Sequence, residues 1–376
     1  MAVETLRSGI EGAEPRPGPE AAGLTPDPAV AGPVRPVLIW AAIGGLMLAF
    51  ELFVLGKWVL GPNFTATKPG LDQLSSGSKG LFLALQIAIP VAAVVCLWAW
   101  VVRPWRREGR LTTDGMLALS GAMVFFWDMG MNYTSVSLLY NSHLLNLGAW
   151  ATGSWPGWTS PNANLLPEPL LISIPGYTCL VFAQVVLMLF LLRKLKARRP
   201  NLGVFGTVAT IVVGLTLIDT VIESLILRTG VYAYPGGIRS ITLFAGHTYQ
   251  VPMSETFLFG GLGLGAIACL SYFRDDHGRT VVERGLDRVK TGARGRQWIK
   301  FLAIFGAVHL AFLVLYFMPQ QWFATHSDAY PKGYKSYMIN GMCEYPGGSG
   351  AAQTREVAGV PCAGPGVAIP RGGSKS

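Results

Sequence analysis

The hydrophobic positions of this chain neither alternate nor recur on one helical face. They run on continuously for twenty residues or more and are broken at intervals by short charged loops. Seven such runs, near 37–59, 80–102, 113–133, 169–192, 203–227, 251–273 and 299–318, reach the roughly 20 residues an α-helix needs to cross the hydrocarbon of a bilayer. A helix that is apolar all round must be surrounded by lipid or by other helices. The pattern predicts an all-α membrane protein, a bundle of about seven transmembrane helices in which the third and fifth runs are the most polar.

Composition and charge orient that bundle. The 376 residues are 51% hydrophobic and 14% charged, whereas a soluble domain carries about 25% charged residues. Of 30 Lys and Arg, four lie in 103–110, five in 193–199 and eight in 274–300. The loop 134–167 has none, 228–250 has two and 57–79 has three. Basic loops stay on the cytoplasmic side, so the N-terminus is expected inside and the C-terminus outside, in a multi-pass protein of the cell membrane. Basic residues confined to loops between apolar runs argue against nucleic acid as a partner. Residues 1–35 are rich in Pro, Gly, Ala and Glu, with no apolar core, and read as a disordered cytoplasmic tail. Residues 36–320 are the transmembrane domain, and 321–376 read as a Gly/Pro-rich extracytoplasmic tail. Cys343 and Cys362 in that tail would be free thiols, or a disulfide in an oxidising compartment.

Within this frame the intramembrane polar residues acquire a depth. Glu51, Asp128, Asn132, Asp219 and Glu223 come late in outward-running spans; Glu168 and Glu255 come at the start of inward-running ones. All are expected in the outer half, and ionisable groups at membrane depth are costly enough to mark function. Asp128 and Asn132 are four residues apart, as are Asp219 and Glu223, which on a helix is one face. Two carboxylates that close in low dielectric do not both ionise, so the second pair is expected to offer an acid and a base; the alternative is a structural pair, or salt bridges to Arg228 and Arg239. Glu255 follows Pro252 and fits a helix start. The loop 134–167 contains Trp150, Trp155 and Trp158, which suits either the membrane interface or a lid over the bundle mouth. His143 in that loop is a candidate proton carrier. No metal-ligand spacing is present, and no metal or cofactor is expected. Gly260, Gly261, Gly263 and Gly265 lie inside a span, where close helix packing explains them better than phosphate binding.

The runs Phe126-Trp127-Asp128 to Asn132-Tyr133, Tyr140-Asn141-Ser142-His143, Asn146 to Trp150 and Pro167-Glu168-Pro169 resemble the AveC spirocyclase family of actinobacterial membrane proteins. The stretches Asp219 to Glu223 and Pro252 to Glu255 fit its polar spans, and the resemblance covers roughly residues 37–320. It implies polyketide tailoring, in which a dihydroxy-ketone closes to a spiroketal, with dehydration in some members. Such a reaction needs an acid, a base and a carboxylate beside an oxocarbenium-like cation. The residues expected to carry it are Asp128, Asp219, Glu223 and Glu255. Asn132 and Asn141 would orient substrate oxygens, His143 and Glu168 would also contact substrate, and Trp127, Tyr133 and Tyr140 would wall the pocket. The expected partners are a small apolar substrate and membrane lipid. Competing readings are a terpenoid-type membrane cyclase, a lipid or proton-coupled transporter, and a lipid-binding protein with no reaction.

Overall fold

The computed structural model describes residues 36–69, 72–151, 153–160 and 165–340. The N-terminal tail and the pair Cys343 and Cys362 lie outside the described residues. Six helices are long and apolar enough to cross a membrane: α1 (Pro36–Val59), α2 (Ser76–Glu108), α4 (Ser173–Arg198), α5 (Val204–Thr229), α6 (Met253–Tyr272) and α7 (Ala293–Thr325). Their outward faces carry bare apolar side chains, such as Leu46 on α1, Val94 on α2 and Leu225 on α5. In an aqueous protein such exposure would be a liability; in lipid it is the requirement.

The third predicted crossing departs from expectation. Helix α3 covers only Thr113–Met123, and two tight 3-10 turns follow, Val124–Trp127 and Met129–Asn132, with Asp128 between them. The cause lies at Ser120. At the end of α3 the Val124 N–H bonds to Gly121 O rather than to the carbonyl four residues back. The Ser120 carbonyl instead faces His309 Nε2 of α7 at 3.1 Å. A side chain that captures a helix carbonyl breaks the i→i−4 ladder at that point. Seven of the eleven residues of α3 are buried, so this least apolar segment forms the interior of the bundle.

Glycines set the closest helix crossings. At the α1–α7 crossing Gly44 lies against the Leu302 carbonyl, and a Cβ at Gly306 would come within 2.5 Å of the Trp40 carbonyl. Gly260, Gly261 and Gly263 likewise admit Asp219, Thr216 and Phe312 against α6, which is the packing role anticipated for them. Four spans also contain π-helical turns, at Trp98–Val102 in α2, Tyr177–Val181 in α4, Thr256–Leu264 in α6 and Phe312–Phe317 in α7. Such turns displace side chains from regular helical positions and gather at functional sites.

The connections at one end of the bundle are ordered and layered. Strand β1 (Leu139–Tyr140) pairs antiparallel with β2 (Tyr232–Ala233), and β3 (Thr242–Leu243) with β4 (Val251–Pro252). The loop holding β1 is pinned by an aromatic cluster in which Trp155 stacks on Phe126 and Phe317. Residues 321–340, anticipated as the start of a tail, are folded here. Tyr330, Tyr334, Met338 and Ile339 are buried. Tyr330 donates to Val136 O at 2.5 Å, and Ser142 N–H donates to Tyr337 O at 2.9 Å.

Candidate functional site

Below the β1–β2 pair lies a cavity of about 160 Å³. Asp128, Asp219, Glu223 and Glu255 all line it. They come from three separate segments of the sequence: the broken third span, one face of α5, and the start of α6. The remaining polar lining is Tyr140, Tyr177, Tyr232, Tyr234, Gln184, Ser173 and Thr229. No Lys, Arg or His lines it, and among the described residues the ion pairs of the protein lie elsewhere. Arg228 turns back to the Ser224 carbonyl and lies over the Phe244 and Tyr249 rings, and Arg239 gives its backbone N–H to Asp328. The anticipated salt bridges from these arginines to Asp219 and Glu223 are therefore not formed.

Hydroxyl donors take the place of cations. Tyr140 and Tyr177 both donate to Asp128, the latter at 2.8 Å. Tyr232 donates to Glu223 at 2.7 Å, Gln184 to Asp219 at 3.2 Å and Tyr316 to Glu255 at 3.3 Å. Asp219 Oδ2 and Glu255 Oε2 have no protein partner. A buried phenol is held where it is because its hydroxyl must find an acceptor, so each Tyr–carboxylate bond orients both side chains. Asp128, Asp219 and Glu255 are buried, whereas Glu223 and Tyr177 are half-buried. Gly260 packs directly on Asp219, where a Cβ would lie 2.6 Å from the Asp219 Cβ.

Glu168 is fully buried behind Asp128, next to Ser173, and does not itself line the cavity. Burial, and then the negative charge of Asp128, hold its carboxyl well above the usual carboxylate range. Tyr140 lines the cavity. The other anticipated substrate contacts are engaged within the protein. Asn132 Oδ1 accepts from the N–H groups of Ser137 and Leu138, at 2.8 and 2.9 Å. Its expected alignment with Asp128 fails because 3-10 turns advance about 120° per residue, which leaves positions four apart about 120° out of register. Asn141 bridges the Gly230 carbonyl and the His143 N–H. His143 packs against Tyr337, outside the cavity. Tyr133 donates to the Pro156 carbonyl and joins the Trp155 and Trp158 cluster. The indole N–H of Trp127 points away, to His309 Nδ1 at 3.1 Å. Glu51 also approaches His309 Nδ1, at 2.6 Å, in a separate buried network of α1, α3 and α7.

Sequence reasoning missed Tyr177, Tyr232, Tyr234 and Tyr316. A usable signal existed for two of them: Tyr232-Ala-Tyr234 follows a Thr-Gly turn, and extended chain places alternate residues on one face. Tyr177 and Tyr316 lie in apolar runs, and their π-turn positions are visible only in three dimensions. Among the described residues no three His, Cys, Asp or Glu side chains converge as metal ligands.

None of the curated proteins and no solved structure compared with the chain matches it. Residues 106–339 do match a known family, described as Spirocyclase AveC-like. That stretch is well over half the chain and contains every carboxylate and tyrosine of the cavity. With six apolar membrane-length helices, a polar cavity between them and this match, the chain belongs to the AveC-like spirocyclase family, which suggests a cyclising role in polyketide tailoring.

Proposed function

We propose that this protein closes an apolar hydroxy-ketone into a cyclic hemiketal and, where two hydroxyls reach one carbonyl, into a spiroketal with loss of one water. The observation that carries the reading is a cavity with four carboxylates, ringed by phenols and free of cationic side chains. In the first step a substrate hydroxyl adds to the carbonyl carbon. A carboxylate takes the hydroxyl proton, and a protonated carboxyl gives a proton to the carbonyl oxygen, leaving a hemiketal. In the second step the hemiketal hydroxyl is protonated and leaves as water. The resulting oxocarbenium ion is balanced by a neighbouring carboxylate. The proton that leaves with water comes from the base protonated in the first step, and the second hydroxyl then attacks the same carbon and gives its proton to the carboxylate that first served as the acid. The acid and base end as they began, so no external oxidant or reductant is needed.

Asp128 is the proposed base, because two phenol donors orient its carboxyl toward the cavity. Glu223, at the half-buried side and oriented by Tyr232, is proposed to exchange the proton with the substrate oxygen. Asp219 and Glu255 each present an oxygen with no protein partner, suited to the developing cation. Enclosure of both reacting ends contributes through orientation.

The proposed topology places the basic loops 103–110, 193–199 and 274–300 in the cytoplasm. This requires the broken third span to cross. Its helix and two 3-10 turns would extend about 30 Å, comparable with the hydrocarbon thickness. A periplasmic reporter fused after Ser376 is expected to be active; activity of a cytoplasmic reporter there would reverse the assignment.

The reaction is tested with purified protein in lipid nanodiscs and a dihydroxy-ketone, with products read by mass spectrometry. Wild type is expected to yield the product lighter by one water, and Asp128→Asn to lose about 10²–10⁴-fold in rate, the usual share of one acid–base group. Equal rates for the two proteins would remove Asp128 from the mechanism.

A further inference from the structure

The lining of the cavity is mostly buried toward the loop end and the bundle interior, and half-buried along one side that adjoins the lipid-facing surface. At the loop end the β1–β2 pair covers it, and residues 334–339 form a second layer. There Ser142 bonds to the Tyr337 carbonyl through both its N–H and its hydroxyl, and Tyr334 OH reaches the Tyr234 carbonyl at 3.4 Å. At the opposite end, below Gln184 and Asp219, the fully buried Val185, Met188, Ile211 and Leu215 fill the bundle. The remaining side is bounded by α2 and α5. Its rim is Leu85 and Ile89 on α2 and Ile222 and Ile226 on α5, all half-buried, with the exposed Leu180 of α4 between them. Next to this rim, Leu81, Leu83 and Ile87 on α2, and Val221 and Leu225 on α5, are exposed on the lipid-facing surface. Of the half-buried polar groups of the cavity, Glu223 and Tyr177 lie toward this opening and Thr229 toward the loop end, while Asp128, Asp219 and Glu255 are buried.

The size of the cavity bears on what passes through that opening. Small-molecule pockets usually measure about 300–1,000 Å³. A cavity of about 150 Å³ holds a molecule the size of benzene. At about 160 Å³ this one encloses a single ring-sized segment. A polyketide-sized chain cannot fit inside, and its remainder must extend through the opening into an apolar setting.

We propose that the substrate is a long-chain lipophilic molecule that enters sideways from the bilayer between α2 and α5, placing its oxygenated ring-forming segment among the carboxylates while its apolar tail stays in lipid. This rests on the functional reading above for the identity of the reacting segment, but the route itself is independent of the reaction. The polar outer loops act as a fixed roof, and selectivity is for a reactive segment near one end of an apolar chain.

The test uses photo-labelling, which reads occupancy rather than turnover. Full-length protein in phosphatidylcholine nanodiscs is given a dihydroxy-ketone bearing a dodecyl tail, with a diazirine on the tail. After irradiation the labelled peptides are mapped. Label concentrated on α2 around Leu85 to Ile89 and on α5 around Ile222 to Ile226 is expected. Excess tail-bearing ketone without diazirine should reduce it several-fold, whereas a matched ketone lacking the tail should compete poorly. Label on the loop 134–168 or on residues 327–340 would overturn the route. So would label spread evenly over all lipid-facing helices, as for a bystander in the bilayer. Leu85→Trp with Ile222→Trp should cut the mapped label at least fivefold; unchanged labelling by that variant overturns the route as well. The wild-type map decides the matter even if the double variant fails to fold. Label at the rim with no product lighter by water keeps the route and sinks the cyclisation. Product formation with label on the outer loops does the reverse.

Discussion

The break in the third span predicts an energetic coupling between two residues remote from the cavity. His309 and Glu51 are 0% and 1% exposed and 2.6 Å apart. His309 Nε2 faces a carbonyl, which can only accept, so this nitrogen carries a hydrogen. Nδ1 then meets both the Trp127 indole N–H and the Glu51 carboxyl. Removing one member of a buried pair leaves the other without compensation, at a cost of about 3–5 kcal/mol. Glu51→Leu and His309→Leu, each roughly conserving volume, should therefore each destabilise by about 3–5 kcal/mol. The double variant no longer contains the unpaired group. It leaves the Trp127 N–H without a partner, worth about 1–3 kcal/mol. The expected double loss is thus far below the summed singles. The assay is reversible SDS unfolding from detergent micelles, followed by far-UV circular dichroism. Additive losses would refute the pairing. A functional consequence accompanies it: with His309 gone, the Ser120 carbonyl is free to take the Val124 N–H. Reverting from 3-10 to α geometry rotates each residue by about 20°, or about 100° by Asp128. Product formation should fall in His309→Leu even at temperatures where it remains folded.

Three further outcomes follow from the same geometry. Asn132→Ala should cost about 2–4 kcal/mol in the same unfolding assay, because the Ser137 and Leu138 N–H groups lose their acceptor, while Asn132→Asp, which keeps an acceptor, should recover most of it; equal losses would argue for a role other than this turn. Gly260→Val should destabilise by about 1–3 kcal/mol through overpacking against Asp219 and lower the rate of product formation, whereas the same change at Gly45, where nothing lies within 4 Å, should do neither. For Glu168 the folded carboxyl holds its proton more tightly than the unfolded one, so its contribution to stability is complete below the ordinary carboxylate value of about 4.3 and is lost as pH rises above it toward the raised folded value; Glu168→Gln should flatten that part of the thermal-stability profile against pH, and parallel profiles would contradict the burial argument.

Much of the architecture was legible in the order of residues. Unbroken apolar runs of about 20 residues, with basic residues between alternate pairs, specify membrane-length helices because lipid satisfies no backbone group and charge is costly at depth. The same reasoning marked Asp128, Asp219, Glu223 and Glu255, since an acid in such a run must have a partner or a purpose. Their meeting in one cavity depended on helices packing across each other at glycines, and on the outer strands that close the roof. The four unpredicted tyrosines belong to that second category. A tyrosine in an apolar run reads as bulk until a carboxylate from another helix arrives within reach of its hydroxyl. The broken span does too: nothing local in Ser120 to Asp128 announces 3-10 geometry, because the cause is a histidine side chain 189 residues away in sequence. Sequence alone determined which segments lie in the membrane and which of their residues are costly there. Only tertiary structure decided which of those residues face one another, because hydrogen-bond pairing between distant segments is set by helix crossings and not by spacing along the chain.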